Sequence, residues 1–103
     1  MDDILLYSLV ATSKAPNDYV ISKDALSVEP YGIMLLRGDT AFKKVVDAEM
    51  NRLYKSGEIQ AIYDKWFTKP IPPKNVNLNL PMSDQFKKVV ANPTDSGDPA
   101  AYK

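Results

Sequence analysis

The chain has 103 residues, with 13 basic against 13 acidic side chains and neither histidine nor cysteine. That length fits one domain at most, and the balanced charge offers no cluster of Lys and Arg to neutralise phosphates, so nucleic acid is not an expected partner. Without His or Cys the common catalytic triads, zinc sites, disulfides and thiol redox chemistry are excluded. A hydrophobic content of 45% and a charged content of 25% are those of an ordinary globular protein, although a chain of this size buries only roughly two-thirds of its unfolded surface. The longest apolar stretch, "ILLYSLVA" from Ile4, is far short of the ~20 residues of a membrane-spanning helix. Met1 is followed at once by Asp2 and Asp3, which is not the basic opening of a secretory signal.

"DDILLYSLVATSKA" reads as a first helix. Asp2 or Asp3 serves its first turn as a cap, and Ile4, Leu5, Leu6, Leu9 and Val10 supply an apolar side. "APND" ends it with turn chemistry. "YVISK" from Tyr19 reads as a short strand. "YGIMLLR" from Tyr31 reads as a better one, a compact apolar run bounded by Pro30-Gly32 and Gly38-Asp39. "DALSVEP" between them is loop.

The clearest helix begins after Asp39 or Thr40, with Phe42, Val45, Val46, Met50 and Leu53 on one face and Gly57 where a left-handed cap is wanted. Glu49 falls on that same face without an evident reason. The Lys43-Lys44 and Lys87-Lys88 pairs read as solvated helix faces. "EIQAIYDKWF" makes another helix, with Ile59, Ile62, Tyr63, Trp66 and Phe67 in one stripe. Trp66 is thereby expected to pack as core. Pro70, Pro72 and Pro73 forbid its continuation. "IPPKNVNLNLP" is expected to run extended over the surface, pressing Val76, Leu78 and Leu80 inward. Ser83 caps a last short helix, "DQFKKVV", and the turn-rich "ANPTDSGDPAAYK" is expected to fray.

Groups for catalysis are missing. "DSGD" lacks the ligand spacing of a calcium loop, and four glycines make no phosphate-binding loop. Adjacent carboxylates such as Asp2 and Asp3 diverge on a helix, so capping is their plain structural role. No catalytic residue, metal site or cofactor is expected.

The run "EPYGIMLLRGDTAFKKVVDAEMNRLYKSGEIQAIYDKWFTKPIPPKN" resembles the C-terminal part of the family 3 solute-binding proteins of polar amino-acid ABC transporters. Its marks are Tyr-Gly opening a strand, a charged turn, a long helix, Ser56-Gly57-Glu58, and then Tyr-Asp-Lys-Trp-Phe. "PIPPKN" followed by "LNLPMSDQFKK" is most similar to the glutamate/aspartate branch. The likeness covers nearly the whole chain and fades after Asn92.

That resemblance implies an α/β fold of the type II periplasmic-binding-protein kind, of which this chain is a C-terminal fragment. Residues 1–27 would end the second lobe with a helix and a short strand. Residues 28–69 would return to the first lobe as a strand and two helices, residues 70–92 would form a proline strap and a short helix, and residues 93–103 a flexible tail. Trp66 would anchor the first lobe without touching ligand. The resemblance also implies a site residue: Asp2 in "MDDILL" matches the family's aspartate that accepts the α-ammonium of the bound amino acid. Asp3 is the competing assignment. A cation held in a partly dry cleft needs just such a charge. The family's carboxylate-gripping arginine and its threonine and serine contacts have no counterparts here, and neither Arg37 nor Arg52 matches that pattern.

Implied partners are an amino-acid ligand in the full-length protein and an ABC permease in the membrane, in the periplasm of a Gram-negative bacterium. The fragment alone is expected not to bind. Its exposed edges imply a homo-oligomer. Two alternatives remain: an enzyme on the same scaffold, dehydratase-like, and a stand-alone helical protein-interaction domain.

Overall fold

The computed structural model describes residues 1–103. Half of them are helical. In chain order the elements are α1 (Asp3–Ala11), a 3-10 turn (Pro16–Asp18), α2 (Thr40–Ser56), α3 (Glu58–Phe67), α4 (Asp84–Ala91) and a second 3-10 turn (Pro99–Tyr102). None of these helices is long and apolar enough to cross a membrane. The chain divides into two compact units, one of Met1–Leu26 with Gln60–Met82 and one of Ser27–Ile59 with Ser83–Lys103.

In the first unit, Asp2 is the N-cap of α1 and its carbonyl accepts from the Leu6 N–H at 3.0 Å. The helix stops at Thr12, whose N–H and hydroxyl both donate to the Ser8 carbonyl, at 3.1 and 2.8 Å. At the other end of this unit the proline segment does not run extended, as the sequence suggested. It turns through Pro72–Asn75, with Asn75 in the left-handed region at φ 54° and a cis Pro72–Pro73 peptide. The turn is closed by the Ile71 N–H donating to the Val76 carbonyl at 2.9 Å.

Beyond that turn the strap does hold the end of α3. Leu80 donates its N–H to the Phe67 carbonyl at 2.9 Å, and Asn77 donates its side-chain amide to the Thr68 carbonyl at 3.0 Å. Those are the carbonyls that a helix end leaves without an intrahelical partner. Val76, Leu78 and Leu80 are half-buried, and Met82, 8% exposed, is the sole buried hydrophobic side chain.

In the second unit, α2 starts where the sequence placed it. The Asp39 carboxylate accepts from the Phe42 N–H at 3.0 Å, and Gly57 ends the helix at φ 78°. Ser83 caps α4 in the same manner, accepting from the Phe86 N–H at 3.1 Å. Helix α4 packs against α2 and against the last 3-10 turn.

The tail is better held than its composition suggests. The Asp95 carboxylate lies 2.7 Å from Lys43 Nζ, the Asp98 carboxylate accepts from the Ala100 N–H at 2.9 Å, and the Tyr102 hydroxyl donates to the Ser96 carbonyl. Polar turn residues gave no hint of this, because its main anchor is a lysine on a helix 52 positions away.

Three expectations need correction. Neither the Tyr19 run nor the Tyr31 run is a strand; the one β feature is the isolated bridge between Ile71 and Val76. The α/β architecture is therefore not seen within this chain. The physical reason is that a strand is a shared object: its N–H and C=O groups need a neighbouring ladder, and these runs have none. Trp66 is not core, being 45% exposed, with Lys65 Nζ 5.0 Å from its ring centroid. Helical periodicity identifies the stripe it belongs to, but within that stripe Ile62 and Trp66 stay exposed. Tyr63 and Phe67 fare better, with ring centroids 4.5 Å apart and both half-buried.

Candidate functional site

The one site residue marked by the sequence, Asp2, stands at the head of α1. It is half-buried, whereas Asp3 is exposed. The two carboxylates also differ in their local work. Asp3 accepts from the Ile4 N–H at 2.7 Å, while the Asp2 side chain makes no cap hydrogen bond to its helix. Capping at Asp2 is thus done by its backbone carbonyl. A carboxylate so placed is an acceptor with two oxygens, chemically suited to an ammonium.

Nearby in this unit the Tyr63 hydroxyl donates to the Leu80 carbonyl at 3.0 Å. Burial, and next the negative charge of Asp3, hold that phenol above its ordinary range. Tyr63 is thus a structural donor fixing the strap on α3. Sequence reasoning gave it a place in the stripe but not this bond.

Two shallow clefts lie elsewhere, and Asp2 lines neither. One, of about 270 Å3, runs between Ser8 and Thr12 of α1 and the proline turn from Ile71 to Lys74. The other, of about 330 Å3, is lined by Ile33 to Thr40 and by Lys43. Both are open and mainly apolar, although Arg37, Asp39, Thr40 and Lys43 stand among the residues of the second. No three acidic side chains come together as a metal site would require.

Arg52 forks between Glu49, at 2.9 and 2.7 Å, and Glu58, at 2.9 Å. Its hydrogen bonds hold the Glu49 carboxyl below the usual range, and the two glutamates raise the Arg52 guanidinium further above its own. This answers the puzzle of Glu49, which is exposed and ion-paired. The signal was the i,i+3 spacing from Glu49 to Arg52. Lys43 likewise bridges Asp47 and Asp95.

No family model matches the chain. Among curated proteins, it is 56% identical over 95 residues to the L-glutamate/L-aspartate-binding protein of Pseudomonas aeruginosa, covering 92% of this chain and 32% of that one. It is 42% identical over 95 residues, with the same coverage, to the glutamate/aspartate import solute-binding protein of Escherichia coli. It is 29% identical over 65 residues, covering 63% of this chain and 23% of the relative, to the ABC transporter glutamine-binding protein of Bacillus subtilis. The chain spans about a third of the length of the first two. These relatives are binding proteins by name, and the resemblance read from "EPYGIMLLRGDTAFKK" to "LNLPMSDQFKK" is borne out. Along nearly its whole length, this chain is similar to one portion of the glutamate/aspartate-binding solute-binding proteins.

Proposed function

We propose that this chain works as part of a solute-binding protein that captures an acidic amino acid, glutamate or aspartate, in the periplasm and delivers it to an ABC permease. The observation that carries the reading is the 56% identity sustained over 95 residues. In this role residues 1–27 belong to one lobe of a two-lobed α/β protein, and residues 28–69 to the other with residues 70–92 strapped against it; residues 93–103 form the tail. Asp2 receives the α-ammonium of the cargo, and its half-buried position at a helix head supports that role. The grip on the cargo's carboxylates comes from residues outside this chain, since Arg52 is committed to Glu49 and Glu58. By itself the chain therefore holds neither amino acid, and its exposed apolar edges favour self-association.

Transport tests the reading. In E. coli cells lacking their own glutamate/aspartate import solute-binding protein, a chimera is produced in which residues of this chain replace the matching 95. Glutamate uptake is expected to return. A chimera that accumulates folded in the periplasm but restores no uptake contradicts the proposal.

A further inference from the structure

Residues 93–103 hold themselves together only by short-range bonds. The Ser96 N–H donates to Thr94 Oγ1 at 3.2 Å, the Asp98 N–H to Ser96 Oγ at 3.1 Å, and the Ala101 N–H to the Asp98 carbonyl at 3.0 Å. The 3-10 turn at its end, Pro99–Tyr102, has four residues. A single turn of that size does not offset in water the entropy of fixing its backbone. Its order therefore comes from contacts with the rest of the second unit. Helix α4 packs against the turn, and the Asp95 carboxylate reaches Lys43 Nζ of α2 at 2.7 Å across 52 positions. Tyr102 is half-buried in a segment that is otherwise mostly exposed. Its phenol also lies close enough to Tyr54 of α2 to help burial hold the Tyr54 phenol above its ordinary range.

We propose that residues 93–103 are a reversible latch on the second unit, ordered only while docked on α4 and α2, with the ion pair between Asp95 and Lys43 as its catch. Docking and ordering of the segment are then one event, and ionic strength sets its balance.

Lys43 suits a catch that opens and closes. Its ammonium carries three N–H donors, and it serves Asp47, one helical turn along α2, as well as Asp95. When the latch leaves, Lys43 keeps Asp47, so opening strands no lysine charge. Both catch groups face water, with side chains 48% and 76% exposed. A pair so placed is weak and is screened by salt. Release bares the side of α4 against which the turn packs. Every group involved belongs to this chain, so the inference needs no second molecule and stands apart from the transport reading.

Hydrogen exchange of the 103-residue chain, followed by NMR, tests it. The Ala100 and Ala101 amides report the latch, because both bond to Asp98 inside the turn, and amides of α2 serve as the internal reference. Raising NaCl from about 0.01 M to about 1 M shrinks the Debye length from roughly 30 Å to roughly 3 Å. Protection of the two latch amides relative to α2 is expected to fall by roughly two- to fivefold. Asp95→Asn is expected to cause a similar loss at low salt and to abolish the salt response. Lys43→Glu alone is expected to lose the protection, and Lys43→Glu with Asp95→Lys to regain it, with circular dichroism confirming that each variant keeps its helices. Latch amides that are unprotected in the natural chain, or that ignore both salt and Asp95→Asn, would overturn the inference. So would a charge-swapped double variant no better protected than Lys43→Glu alone.

Discussion

Arg52 illustrates how a side chain that looks available in a sequence is already spent in a fold. Its guanidinium serves Glu49 within α2 and Glu58 in the first turn of α3, so it has no fork left for a ligand. These groups are exposed, and such pairs contribute little to stability in water. Their pH dependence has a definite sign nonetheless. Glu49 and Asp95 lie below their ordinary values of 4.5 and 3.8, held there by Arg52 and Lys43. A carboxyl lowered in the folded state contributes stability above its unfolded value and loses it as pH falls through the folded one. Thermal melts followed by circular dichroism should therefore be flat from pH 7 to about 5 as far as these two groups decide. Stability should then decline slightly below 4.5, the more so for Asp95 as pH drops under 3.8. Raising the salt concentration should shrink that decline. A gain in stability on acidification would contradict the assignment.

At the scale of the element, helices were legible and strands were not. Caps are local: Asp39, Gly57 and Ser83 each act within four residues, so a single sequence contains all the information needed. Gly57 gives the sharpest test. A Cβ there would meet nothing within 4 Å, so the cost of Gly57→Ala is purely the left-handed backbone at φ 78°. That substitution should lower stability by about 1–2 kcal/mol in urea melts, while Gly57→Asn should cost less because Asn tolerates this region. Equal stability of the Ala variant would show that the α2–α3 junction relaxes away from its left-handed turn. The Tyr31 run had the right composition for a strand, but pairing depends on a neighbour that periodicity cannot supply. Trp66 failed as core for the same reason: a stripe says which side seeks cover, not whether cover exists. The tail's hold on Lys43 was illegible because it links residues 52 apart.

Across the whole molecule, one buried hydrophobic side chain, Met82, serves 103 residues and none is fully buried. Burial is the dominant favourable term in folding, and here Leu5 and Leu9 of α1, Phe42 and Val45 of α2 and most of the Tyr31 run stay exposed. That observation fits a sequence whose curated relatives are about three times as long. It also explains why the candidate site was only partly legible. Asp2 was marked as a site residue through the resemblance alone, its own residue pattern giving only a helix cap, and the structure places it at the head of α1. The proposed role makes this chain a contributor to a binding cleft and not its owner. The most direct measurement is calorimetric titration of the purified P. aeruginosa relative in which these residues replace the matching 95. The account predicts one saturable site for glutamate or aspartate within about tenfold of the parent's affinity, weakened roughly ten- to hundredfold by Asp2→Asn and little changed by Asp3→Asn. A folded chimera that binds neither amino acid, or one in which Asp2→Asn has no effect, would contradict it.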